Sequence, residues 1–365
     1  MTLIAAFVAT GFASSAYHRE RTALGVEHYH LGRSLESHDE LESALDEYRK
    51  ALFFAPDKTE YRLSLATALI EAGRLDEAQS HLEQLSQDDP TNGVINLLLG
   101  RIAVQRRKLK QAVDFYQRAV YEYWPEADLP QRRQARWELA NLLSQTGDRN
   151  GFIGELMQLY TNLPPTETAQ KLKVGSLLLT NGATSEASRI FQDLAKQQPL
   201  NPQARRGLGE AYFSSGDYIA ARHELQRALR LDPKDQASAQ TLALTNEVID
   251  MDAALPYITA SEQLRRSKNL LGRVIRDLDA CQAANAVTQP AAVSGKKADM
   301  ALADPLAQEW SIAQTLATQK RNSEDAALAM QRAAAQLWTD KARFCSSGGP
   351  RDRALDTVFA RIGHE

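Results

Sequence analysis

The sequence predicts an all-α protein: a right-handed solenoid of paired helices, followed by a smaller helical domain. Apolar residues recur at helical spacing in successive segments. Small residues return at the same two positions of each pair of segments, except at Phe152 in the fourth pair, and a proline near the end of most pairs stops the second helix. The pairs recur about every 34 residues, which indicates stacked units rather than independent domains.

Residues 201–235 show one unit most clearly. Its first helix is marked by Leu208, Gly209 and Tyr212, and its second by Ala221, Leu225, Ala228 and the terminal Pro233. This pattern resembles the tetratricopeptide repeat, a helix–turn–helix unit. Six such units start near residues 25, 59, 93, 133, 168 and 202 and cover residues 25–235. Between the third and fourth units the register slips, and residues 124–130 (WPEADLP) read as an inserted turn or a lengthened helix start.

The recurring small residues have a physical role. Gly or Ala at the eighth position and Ala at the twentieth are expected where the two helices cross closely, since a larger side chain there would cost about 1–3 kcal/mol by overpacking. Gly147, Gly182 and Gly216 are expected to form the tight turns between helices.

The remaining chain departs from the repeat. Residues 236–251 are predicted to form a capping helix whose exposed side carries Gln240, Thr245 and Glu247, because the last unit of a stack has apolar surface to cover. Residues 252–365 are predicted to form a C-terminal helical domain that folds alone or docks on the repeats. A helix break is expected near residues 322–323.

Charge and hydropathy restrict the partners. Lys and Arg number 43 against 46 Asp and Glu, a net charge of −3, which argues against a nucleic-acid ligand. Residues 1–16 contain a short apolar run, Leu3–Ala13, followed by small residues, as in a signal peptide cleaved after Ala16. We therefore expect an exported, periplasmic or membrane-associated protein of bacterial type. A hydrophobic first helix in a cytoplasmic protein is the alternative.

The resemblance implies a binding groove lined by the first helices of the units, which receives a peptide or a helix. Its fifth-position column is Tyr29, Leu63, Leu97, Trp137, Leu172 and Arg206; its ninth-position column is Arg33, Thr67, Arg101, Asn141, Ser176 and Glu210, and Phe213 joins them. The three leucines are expected to pack between helices more than to face a ligand. Some members of this family hold a chaperone's terminal carboxylate with a Lys/Asn clamp, but Arg33 replaces the required asparagine.

No motif in the sequence names a reaction. His28 and His30 point to different faces of a helix and make a poor metal pair, so neither a metal nor a cofactor is expected. In an exported protein, Cys281 and Cys345 are candidates for a disulfide whose geometry the sequence does not decide. The predicted function is a non-catalytic, protein- or peptide-binding scaffold. The alternatives are repeats that act as substrate adaptors for a C-terminal effector module, or self-association through the C-terminal helices.

Overall fold

A computed structural model describes residues 2–122, 124, 128–288, 311–316, 324–341 and 352–362 of the protein. Throughout these residues the regular secondary structure is helical, which confirms the predicted all-α class. The chain divides into two compact units, unit 1 (Met1–Thr166) and unit 2 (Glu167–Glu365). No helix in the described ranges is long and apolar enough to cross a membrane.

Unit 1 consists of consecutive helices that pack in pairs. They are α1 (Thr2–Ser37), α2 (Leu41–Phe54), α3 (Thr59–Glu71), α4 (Leu75–Asp88), α5 (Gly93–Gln105), α6 (Leu109–Tyr121), α7 (Leu129–Thr146) and α8 (Arg149–Asn162). The first helix of the fourth pair, α7, starts before residue 133, so the slip in register is partly a lengthened helix start. Trp124, between α6 and α7, is buried and donates its indole N–H to the carbonyl of Ala119 at 2.5 Å.

Unit 2 continues with two further pairs and then helices of a different pattern. Its helices are α9 (Thr168–Thr180), α10 (Thr184–Gln197), α11 (Pro202–Ser214), α12 (Tyr218–Leu231), α13 (Gln236–Met251), α14 (Ala260–Thr288), α15 (Glu324–Thr339) and α16 (Arg353–Ile362). Residues 311–316 are also helical, and the break predicted near residues 322–323 lies outside the described residues.

The turns inside the six pairs share one backbone feature. Each contains a residue with positive φ at the same repeat position, namely Asp39, Gly73, Arg107, Gly147, Gly182 and Gly216. The three glycine turns expected from the sequence are therefore confirmed. At Asp39 and Arg107 a residue other than glycine adopts the left-handed backbone conformation. This costs roughly 1–2 kcal/mol at each position, and the flanking helices offset that cost.

The close crossing of paired helices is also present. A Cβ added at Gly175 would lie 2.8 Å from Cζ of Phe191, and one at Gly209 would lie 2.7 Å from Cγ of Leu225. Contacts this short leave no room for a methyl group, which explains glycine at the eighth position of these units.

The last helices share one core with the sixth pair. Tyr218 of α12 and Val248 of α13 pack in the same buried cluster as Leu271 of α14, Met330 of α15 and Leu355 of α16. The segment that follows residue 251 therefore docks on the repeats of unit 2, one of the two arrangements left open by the sequence.

The expected polar, exposed side of α13 is partly wrong. Thr245 is fully buried and donates its hydroxyl to the carbonyl of Thr241 at 2.6 Å. The reason is that α14 and α16 pack against α13, so the apolar surface of the last repeat is covered by helices instead of ending in solvent.

Candidate functional site

The first-helix face of unit 1 is defined here by the sides of α1, α3, α5 and α7 that carry the fifth- and ninth-position columns. A pocket of about 290 Å³ lies on this face between α3 and α5. It is lined by Thr67, Ile70 and Glu71 of α3, by Leu98, Arg101, Val104 and Gln105 of α5, and by Tyr116 of α6. The lining thus combines apolar and hydrogen-bonding side chains.

An ion pair fixes the polar side of this pocket. Arg101 donates from Nε to Glu138 Oε2 at 3.0 Å and from Nη2 to Oε1 at 2.7 Å, and the hydroxyl of Tyr116 donates to Oε2 at 2.8 Å. Burial alone would raise the pKa of Glu138, but the hydrogen bonds and charge of Arg101 outweigh it and hold that pKa below its ordinary value. The guanidinium is therefore held in one orientation by α7.

Two carboxylates lie on the same face. Burial and then the negative charge of Glu36 raise the pKa of Glu71, while the charge of Arg101 opposes the shift. Glu36 itself accepts the hydroxyl of Tyr48 at 2.6 Å. The face therefore presents negative charge beside the paired arginine.

Two predicted groove residues are not accessible. Tyr29 is only 6% exposed: its ring stacks on Tyr61 with centroids 4.4 Å apart, and its hydroxyl donates to Glu60 at 2.9 Å. Leu97 is 3% exposed. The assignment of Tyr29 to the ligand-contacting surface is therefore wrong. Leu97, although it belongs to the groove column, packs between helices, which is the arrangement that the sequence analysis favoured for the leucines. The first helices pack so closely that the fifth position falls in the core at these two units.

The other predicted groove residues of unit 1 remain at least partly accessible to solvent. Arg33 and Asn141 are exposed, whereas Leu63, Trp137 and Arg101 are partly buried. Arg33 makes neither a hydrogen bond nor an ion pair with any residue in the described part of the chain, although its charge acts on Tyr29. The ninth-position column is thus the more open of the two.

Three of the candidates of unit 2 are engaged within the unit. Arg206 donates to both carboxylate oxygens of Asp235 at 3.1 Å, and it lies 3.8 Å from Glu210. Burial raises the pKa of Glu210. Phe213 packs against the core beside Tyr218, with ring centroids 5.4 Å apart. Their proposed contacts with a ligand are replaced in large part by contacts with neighbouring helices.

Besides Leu98 and Tyr116, the sequence analysis missed four further residues of the pocket in unit 1. Ile70, Glu71, Val104 and Gln105 lie one helical turn beyond the ninth position, three or four residues further along the same side of the helix. Extending the two columns by that turn would have found them. Phe213, three residues beyond the ninth position of the sixth unit, was the one residue of that additional turn that the predicted groove included.

The remaining expectations concern metals and cysteines. Among the described residues there is no group of three or more His, Cys, Asp or Glu that would hold a metal ion. The side chain of Cys281 and all of Cys345 lie outside the described residues, so their pairing stays a prediction.

Comparison with known proteins identifies the repeat. Family models described as tetratricopeptide repeat match residues 35–90, 69–123 and 172–236. The heat shock protein sti1 homolog of Schizosaccharomyces pombe is 24% identical over 197 residues, which are 52% of this chain and 31% of that protein. The peroxisomal targeting signal receptor of Saccharomyces cerevisiae is 36% identical over 84 residues, 22% of this chain and 14% of the receptor.

These curated relatives are longer proteins, and the chain spans less than a third of the length of each. Among solved structures, YrrB, described as a TPR protein with an unusual peptide-binding site, matches 53% of this chain and 96% of its own. Its sequence identity is 17% and the TM-score is 0.39.

Proposed function

This chain is a member of the tetratricopeptide repeat family, and we propose that it is a non-catalytic scaffold that holds a peptide or an extended segment of another protein. The observation that carries the proposal is the pocket on the first-helix face of unit 1, beside the Arg101–Glu138 pair. Two of the curated relatives it matches are named as a heat shock protein homolog and as a receptor for a targeting signal.

The chemistry of the pocket suits a polypeptide. Val104, which is 36% exposed, offers apolar contact for a side chain, and the buried Ile70 and Leu98 complete the apolar part of the lining. Gln105 and Thr67 offer groups that bond to a peptide backbone. Arg101 is already oriented by Glu138, so little side-chain entropy is lost when a ligand binds against it. The pocket is small, which favours a single anchoring side chain rather than a compact domain.

A displayed library of random peptides, selected on the full chain, tests the proposal. We expect Val104→Glu to weaken the selected peptides at least tenfold, because it replaces an apolar contact of the pocket with a charge. Val104 is 36% exposed, so the substitution is tolerated by the fold. The matched control is Ile219→Glu on α12, where a 47% exposed side chain outside this pocket is changed in the same way.

Equal affinity of the wild-type chain and the Val104→Glu variant, with circular dichroism unchanged, would reject the pocket as the binding site. Failure to enrich any peptide would reject the wider proposal. Loss of binding in both variants would point to a general effect of added negative charge and would also count against the pocket.

Export or membrane association is a further proposal, and it rests on the apolar segment Leu3–Ala13 of the sequence. Sequencing of the mature N-terminus from the source cell tests it. Recovery of the chain from a membrane or exported fraction, with cleavage after Ala16, is the expected result; an intact N-terminus in the soluble cytoplasmic fraction would contradict it.

A further inference from the structure

A second pocket in unit 1 is lined by arginines. Here called the arginine pocket, it has a volume of about 290 Å³. Its lining includes Arg132, Arg133 and Arg136 of α7 together with the amides Gln158 and Asn162 of α8, and none of the described residues that line it carries a carboxylate. Three arginine side chains therefore line one concave site.

The positive charge of Arg136 is neutralised by a neighbouring carboxylate. Arg136 pairs with Glu155 at 2.9 Å, and both side chains are almost fully buried. Tyr121 donates its hydroxyl to the same carboxylate at 2.8 Å, and its ring lies 5.6 Å from the guanidinium carbon of Arg136. This cluster forms one wall of the pocket. Its carboxylate pairs with Arg136 and does not compensate the positive charges of Arg132 and Arg133.

The other two arginines, Arg132 and Arg133, have N–H donors without a hydrogen-bond acceptor among the described residues. Arg132 donates from Nε to the carbonyl of Val120 at 2.8 Å, which anchors its guanidinium, and none of its Nη atoms has a hydrogen bond to the described residues. Arg133 makes neither a hydrogen bond nor an ion pair within the described ranges. Both guanidinium groups keep paired N–H donors of the kind that binds an oxyanion through two parallel hydrogen bonds.

From this arrangement we propose that the arginine pocket binds an oxyanion carried by a polypeptide, either the carboxylate of an acidic segment or the phosphate of a phosphorylated side chain. The volume admits one such group, and the exposed ring of Tyr121 and the side chain of Leu129 at the rim give apolar contact to the adjoining residues of the ligand. The inference is independent of the pocket between α3 and α5, because the two pockets have no described lining residue in common.

The test uses the full chain and fluorescently labelled peptides of one backbone sequence that carry glutamates, a phosphoserine, or uncharged glutamine and serine at the same positions. We expect the glutamate or the phosphoserine peptide to bind the wild-type chain, and Arg133→Gln to weaken that binding about tenfold, as loss of a charge-assisted hydrogen-bonding group does. Whichever of the two binds more tightly identifies the source of the oxyanion.

The matched control is Arg118→Gln on α6, which removes the same charge from unit 1 at an exposed position outside the pocket. Its affinity for the peptide is expected to stay within twofold of wild type. Equal binding of the charged and uncharged peptides would overturn the proposal. So would equal weakening by Arg118→Gln and Arg133→Gln, or competition by inorganic phosphate with no binding of either charged peptide.

Discussion

Substitution of Gly207 by alanine tests the packing between the repeats of unit 2. Gly207 lies on α11 and is buried against the ring of Phe191 from α10. An alanine Cβ would lie within 2.6 Å of three atoms of that ring. The ring itself is only 1% exposed, so it has no open space to move into.

Two effects of opposite sign set the magnitude. Alanine is favoured over glycine inside a helix by about 1 kcal/mol. Overpacking of a closed core costs about 1–3 kcal/mol, and contact with three ring atoms places this site at the upper end of that range. We therefore expect a net loss of about 2 kcal/mol in the free energy of unfolding, or roughly 4–8 °C in Tm for a unit of this size.

Thermal and urea denaturation of the full chain, followed by circular dichroism, measure this loss. Gly272→Ala on α14 of the same unit is the control: the closest heavy atom to its added Cβ is the tip of Arg276 at 3.7 Å, so only the gain in helix propensity remains. If Gly207→Ala were as stable as wild type while Gly272→Ala is stabilised, the reasoning would be wrong. In a Phe191→Leu background the penalty of Gly207→Ala should shrink, since the opposing ring is gone.

Two further predictions concern carboxylates of unit 1. Glu155→Gln leaves the buried guanidinium of Arg136 without a counter-charge and should cost about 3 kcal/mol in urea denaturation; a loss below about 1 kcal/mol would mean that the pair is not buried in solution. Burial and the charge of Glu36 raise the folded-state pKa of Glu71 above its unfolded value of 4.5. At neutral pH the ionised Glu71 therefore destabilises the folded state. Below pH 4.5 the carboxyl is protonated in both states, and this destabilisation is absent. Glu71→Gln should therefore raise Tm at pH 7, with the difference vanishing below pH 4.5, and a constant difference at all pH values would contradict this.

The repeat itself could be predicted because its signals are local. Gly147, Gly182 and Gly216 mark turns that need positive φ, and Gly175 and Gly209 mark close helix crossings, so each can be recognised from residue type and spacing. The positive φ at Asp39 and Arg107 was not predicted. Aspartate adopts this conformation more readily than most residues, whereas an arginine gives no such signal. Both residues are held there by the helices on either side.

The candidate site was predicted less completely. The ninth position of the repeat gave Arg101, but its partner Glu138 comes from the next pair, and the pocket residues Glu71 and Val104 lie one turn beyond the columns considered. Ion pairing across helices depends on which side chains meet, and sequence spacing within one helix does not contain that information.

The sequence by itself determined that residues 25–235 form paired helices that recur at nearly constant spacing, because helix periodicity, turn glycines and terminal prolines are properties of short segments. Tertiary structure alone decided which polar groups stay open to a ligand. In the folded protein Tyr29 is buried against Tyr61, and Arg206 pairs with Asp235. Helices α14 and α16 pack against α13, and Arg133 has no counter-charge in the described structure. Those outcomes depend on distances between helices that are far apart in the chain, where Coulomb energy and burial are set by packing rather than by residue type.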